Sequence, residues 1–124
     1  MKTLSRWIAV SMLLIGLAVV VQAQNPAVRM KAGPPPELVT YTLQNLSAAA
    51  ISIGVVELRV FDAKTCKLLC ATRNPLNKRI LSCRTLDVQI RCSQPLPPAS
   101  GYIYWLRIRN SGGTVLTEDW LYVP

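Results

Sequence analysis

A chain of 124 residues with 14 basic side chains, 6 acidic ones, four cysteines and no histidine is one small domain by length. The missing histidine excludes Ser-His-Asp and Cys-His catalysis, and the sequence holds no Gly-rich phosphate loop, nucleotide fingerprint or metal-binding carboxylate cluster. The net charge of +8 favours anionic surfaces such as phospholipid headgroups, acidic glycans or nucleic acid.

Lys2 and Arg6 precede an apolar run over residues 7–21, which ends at Val21-Gln22-Ala23. A charged n-region, an apolar h-region and a small-residue cleavage site form the pattern of a secretory peptide. Residues 1–23 are therefore expected to be removed and the mature chain to be secreted or periplasmic. An uncleaved anchor is the rival reading. The run is shorter than the roughly 20 apolar residues of a spanning helix, and Gln22, Gln24, Asn25 and Pro26 end it abruptly. Loss of Lys2 and Arg6 leaves twelve basic residues against six, a net charge of +6. In an exported chain an anionic envelope polymer or a membrane surface suits that charge better than nucleic acid. No second long apolar segment follows, so no transmembrane span is expected after cleavage.

Residues 24–37 form a Pro-rich lead-in arm in which Pro34-Pro35-Pro36 favours an extended polyproline conformation. The remaining residues, 38–124, alternate strand and turn signals. Residues 38–43 (LVTYTL) are rich in β-formers, and Asn45-Leu46-Ser47 reads as a turn. Residues 51–61 (ISIGVVELRVF) are the strongest strand, with Val56, Leu58 and Val60 on one face and Glu57, Arg59 and Phe61 on the other. A turn at Asp62-Ala63-Lys64-Thr65 leads to a return strand over residues 66–72, and Asn74-Pro75 opens a basic loop. Leu86, Val88, Ile90 and Cys92 then alternate with Asp87, Gln89 and Arg91. Pro95, Pro97 and Pro98 break that strand. Residues 102–109 (YIYWLRIR) follow as a long strand, then a turn at Asn110-Ser111-Gly112-Gly113 and a last strand over residues 114–123.

About six to seven short strands without an amphipathic helix predict an all-β, antiparallel sandwich or small barrel. The order Tyr41-x-Leu43-x-Asn45-x-Ser47, a long strand ending in Phe61-Asp62, then a turn, resembles small secreted immunoglobulin-like or fibronectin-III-like modules. The resemblance implies an immunoglobulin-like β-sandwich and nothing about activity, since such folds host unrelated functions. Asn45-Leu46-Ser47 also fits the N-glycosylation pattern, with a turn role for Asn45 as the simpler reading.

Cys66, Cys70, Cys83 and Cys92 read as structural disulfides in an exported chain. Extended chain places Cys66 and Cys70 about 13 Å apart, beyond the roughly 7 Å a bridge allows. The nested pairing, Cys66 with Cys92 and Cys70 with Cys83, suits antiparallel neighbours better than the crossed pairing. Two local pairs stand as the alternative. C-x₃-C and C-x₈-C spacings depart from zinc-site patterns, so neither metal nor cofactor is expected.

Six carboxylates remain for chemistry, and the adjacent pair, Glu118-Asp119, points to opposite faces of a strand. That is a poor dyad, and no enzyme activity is expected. If Tyr104, Leu106 and Ile108 face inward, Ile103, Trp105, Arg107 and Arg109 face outward. By the same parity Arg59, Phe61 and Arg91 face out of their strands. These residues define an expected binding face of arginines beside aromatic rings, suited to carboxylates, phosphates or sugars. The leading expectation is a non-enzymatic binding or accessory module that presents this cationic face to an anionic or protein partner at the cell envelope or exterior. A small secreted protease inhibitor acting through loops 73–84 or 93–101 is the alternative, and pairing of an exposed strand edge in a subunit role is a third.

Overall fold

The computed structural model describes residues 25–124. The expected secretory peptide, residues 1–23, lies outside them. Seven strands follow in order: β1 (Ala27–Ala32), β2 (Leu38–Gln44), β3 (Ile51–Asp62), β4 (Leu68–Ile80), β5 (Thr85–Arg91), β6 (Tyr102–Asn110) and β7 (Val115–Val123). They build a 3-stranded sheet in the order β1-β2-β5 and a 4-stranded sheet in the order β4-β3-β6-β7. All pairings are antiparallel. The protein is an all-β sandwich, and no helix among the described residues is long and apolar enough to cross a membrane.

Alternation explains the core. Val39, Tyr41 and Leu43 of β2 meet Val56, Leu58 and Val60 of β3 and Tyr104, Leu106 and Ile108 of β6, all essentially inaccessible. The inward parity read from residues 56–60 and 104–108 holds. Ile90 and Cys92 are buried from the β5 side.

Within the expected arm over residues 24–37, the described residues join the sandwich instead. Its residues 27–32 pair with β2 as an edge strand. The three prolines do not run on as an extended polyproline segment; they make the turn between β1 and β2. Gly33 N–H donates to Leu38 O at 2.8 Å and Leu38 N–H to Pro35 O at 2.9 Å. Gly33, at φ +64°, supplies the left-handed backbone that this turn requires.

The return strand is longer than expected. β4 continues through Asn74-Pro75 to Ile80, so the basic loop over 73–84 shrinks to the residues after Ile80. Pro75 is tolerated because β4 is an edge strand. Opposite it, the ladders on both sides of β3 slip between Ile53 and Val55. Gly54 fills that irregularity, where a Cβ would stand 2.7 Å from the Asn110 carbonyl oxygen.

The expected nested cysteine pairing is corrected. Cys70 bridges to Cys92, with Cα atoms 6.2 Å apart, while Cys66 and Cys83 are free and exposed. The reason is topological. β4 and β5 are edge strands of different sheets, so Cys70 on β4 and Cys92 just past β5 meet across the open side of the sandwich. Cys66 lies before β4 and Cys83 after it, at opposite ends of a 13-residue strand.

Turn chemistry follows the sequence. Asn45 is fully buried. Its Nδ2 donates to Ala49 O (2.8 Å) and Ile80 O (2.9 Å), and its Oδ1 accepts from Ser47 N–H (2.9 Å) and Ser47 Oγ–H (2.8 Å). With both amide hydrogens engaged in the interior, Asn45 serves the turn and presents no glycan acceptor on the folded surface. Asp62 Oδ1 accepts from Lys64 N–H (2.8 Å) and Thr65 N–H (3.2 Å), closing the β3–β4 turn. Asn110 Oδ1 accepts from Thr114 N–H at 2.9 Å to close the β6–β7 turn.

Candidate binding face

The outer face of the 4-stranded sheet is organised in cross-strand rows set by the register. Reading from β4 to β7, Leu68, Phe61, Ile103 and Tyr122 form an apolar row. Beside it lie Ala71, Arg59, Trp105 and Trp120, and next Arg73, Glu57, Arg107 and Glu118. The fourth row is Pro75, Val55, Arg109 and Val115.

Trp105 organises the centre. Although it belongs to the outer face, it is only 4% exposed. The guanidinium carbon of Arg107 lies 4.4 Å from its ring centroid and that of Arg59 lies 4.9 Å away. Such cation–π contacts hold flexible arginines in place. Trp120 tilts against it with ring centroids 5.9 Å apart. The indole N–H donates to Glu118 Oε1 at 3.1 Å.

Two of the arginines are partly neutralised. Arg107 Nε lies 3.4 Å from Glu118 Oε2, an ion pair without hydrogen-bond alignment, and this shielded Nε makes no hydrogen bond. Arg109 Nε donates to Glu57 Oε1 at 3.3 Å, and its Nη1 donates to Gly113 O at 2.9 Å. Arg59 and Arg73 enter no ion pair among the described residues. They border a shallow recess of about 200 Å³ with Glu57 and Thr72. Arg73 and Arg109 border a second one of about 210 Å³ beside Gly54.

Five of the six residues expected to share a face do so: Arg59, Phe61, Trp105, Arg107 and Arg109. Arg91 does not. It lies on β5 opposite Leu38, in the other sheet. That sheet's outer surface carries Arg29, Lys31, Thr40, Thr42, Asp87 and Gln89, with the Thr42 hydroxyl donating to Asp87 at 2.7 Å. It has cations but no aromatic ring.

Sequence reasoning missed Arg73, Trp120 and Tyr122. Continuing the return strand past Thr72 would have placed Arg73 on the face of Arg59. Parity in β7 places Glu118, Trp120 and Tyr122 together, and Trp120 and Tyr122 are 60% and 61% exposed. Asp119 points the other way, as expected of the adjacent carboxylates. Of the two expected inhibitory loops, 73–80 is strand. The 93–101 segment is tied to the body through buried Leu96, whose N–H donates to Glu37 Oε2 at 2.8 Å, and through Tyr102 O–H to Pro97 O at 2.7 Å.

No family model and no curated protein matches the sequence. Among solved structures, the chain is similar to one described as the X-ray structure of Northeast Structural Genomics Consortium target SoR45. The TM-score is 0.53 at 14% identity, covering 81% of this chain and 88% of that one. A β-glucuronidase from glycoside hydrolase family 2 aligns at a TM-score of 0.44 and 16% identity, over 79% of this chain and 11% of that one. The first likeness shows the fold alone, and the second carries no argument. Fold and face together define a small disulfide-bridged β-sandwich with an Arg/Trp surface on its larger sheet.

Proposed function

We propose that the chain is an exported, non-enzymatic binding module of the cell envelope or exterior that takes an anionic partner on the outer face of its larger sheet. The observation that carries this reading is the Trp105 brace. It fixes Arg59 and Arg107 over one ring and sets them beside the exposed Trp120. Prepositioned guanidinium groups lose less entropy on binding carboxylate or phosphate than free ones do. Arg and Trp are also the side chains that anchor protein interfaces. Arg59 and Arg73, outside the two ion pairs, supply the available charge. The Cys70–Cys92 bridge fits an oxidising compartment and so supports export. The three-plus-four strand order supports an immunoglobulin-like or fibronectin-III-like architecture within this reading.

The test compares the protein with an Arg59→Glu/Arg73→Glu variant and a control, Arg29→Glu/Lys31→Glu, which changes charge equally on the other sheet. Probes are heparin and phosphatidylglycerol vesicles, which separate a glycan from a lipid source of the anion. The reading expects at least tenfold weaker binding for the first variant and a much smaller loss for the control. Equal losses in the two would mean that only net charge matters and would defeat it.

A further inference from the structure

The two edges of the larger sheet fit each other. We infer that a second copy of this chain docks its β4 against β7, extending one antiparallel sheet from copy to copy. This goes beyond the anionic-partner reading and stands or falls separately.

Direction allows it. In the order β4-β3-β6-β7 neighbours alternate in direction, so β4 runs antiparallel to β7. A following copy can therefore present its β4 to β7 without turning over. Neither edge has an outer ladder partner among the described residues. β1 stands beside β7, and β5 beside β4, each in the other sheet. Unpaired strand edges are templates for pairing with another chain.

The side chains make the pairing specific. In one row the charges alternate from β4 to β7 as Arg73, Glu57, Arg107, Glu118. Head-to-tail docking sets Glu118 beside the next copy's Arg73 and continues the alternation. In the next row Trp120 meets Ala71, a small neighbour that leaves room for the indole and brings it toward Arg59. In the apolar row Tyr122 meets Leu68. Of the six exposed large hydrophobic side chains among the described residues, Leu68, Val115, Trp120 and Tyr122 lie on these two edges. Opposite-charge and aromatic–aliphatic pairs placed directly across neighbouring strands stabilise a sheet.

The self-symmetric alternatives match less well. Two β4 edges would bring together Arg73, Lys78 and Arg79 from each copy, and two β7 edges would bring together Glu118 and Asp119. Like charges on facing strands oppose pairing. β7 also lacks the proline and lysine that commonly blunt an edge. Pro75 lies in β4, at the end of the docking stretch that begins at Leu68. A heterologous contact of this kind does not close on itself, so the assembly is an open row that follows the sheet twist.

Sedimentation of the purified protein without any ligand tests the inference. Two variants block one edge each at exposed positions, Leu68→Asp/Ala71→Asp on β4 and Trp120→Asp/Tyr122→Asp on β7. Circular dichroism checks that both fold. The expected result is a mass that climbs past the dimer with concentration for the native protein and stays at the monomer for each variant alone. An equimolar mixture of the two variants, which retains one free β4 and one free β7, is expected to stop at a dimer. A native protein that stays monomeric, or a β4-blocked variant that still dimerises with itself, would overturn it.

Discussion

The indole N–H of Trp105 donates to the carboxylate of Glu118 at 3.1 Å, and the same carboxylate faces Arg107. A tryptophan on the outer face of a sheet is thereby buried by side chains rather than by a second layer. The consequence is a surface on which Arg59 and Arg107 both stack against one ring.

Removing that ring should therefore cost stability as a core residue would. Trp105→Ala is expected to lose about 3–5 kcal/mol, measured as a drop in the urea midpoint. Trp120→Ala, at a 60% exposed position, is expected to lose less than about 1 kcal/mol. Equal losses in the two would show that the brace is not structural.

The cysteines give a second expectation. Without reduction, alkylation should add two labels, at Cys66 and Cys83, and leave the Cys70–Cys92 peptides linked. Cys70→Ser/Cys92→Ser opens a connection of 22 residues and should cost about 3 kcal/mol. Cys66→Gly and Cys83→Gly should leave stability level or raise it, because both residues have φ of +61°. The left-handed conformation costs an ordinary residue about 1–2 kcal/mol.

Asn45 is expected to be the most sensitive polar position. Asn45→Ala removes four hydrogen bonds and leaves the Ile80 carbonyl without its amide partner in the interior. A loss of about 3 kcal/mol is expected. Ser47→Ala, which removes only the hydroxyl, should cost about half of that. Chemical denaturation of the two variants checks the order.

Alkaline pH should unfold the protein through its buried phenols. Burial, then the charges of Tyr102 and Glu37, pushes the Tyr104 pKa up to about 12. Burial also raises Tyr41 above the ordinary tyrosine range. The folded state holds these protons more tightly than the unfolded one. Their contribution is therefore fully present below about pH 10; that of Tyr104 is lost as pH rises through about 12, and that of Tyr41 at higher pH still. Phenolate absorbance from these two rings should appear together with loss of β-sheet circular dichroism. Appearance of their phenolate signal while the fold persists would contradict their burial.

Much of the fold was legible because alternation carries it. Val56, Leu58 and Val60, and Tyr104, Leu106 and Ile108, face inward as a period of two requires. Local turn chemistry at Asn45, Asp62 and Asn110 was equally readable. Pairing between distant strands was not. Arg91 has the same local signal as Arg59, and only strand order puts it in the other sheet. The disulfide failed for the same reason, since Cys70 and Cys92 meet between sheets rather than along a hairpin. Pro75 misled in another way: proline ends a central strand but is compatible with an edge, and edge position is a property of the whole sheet.

Amide NMR during titration with a heparin oligosaccharide tests most directly whether the larger sheet's outer face receives an acidic partner. Shift changes are expected at Arg59, Arg73, Arg107 and the indole N–H of Trp105 and Trp120. Changes centred instead on Arg29, Lys31 and Arg91, on the opposite sheet, would contradict it.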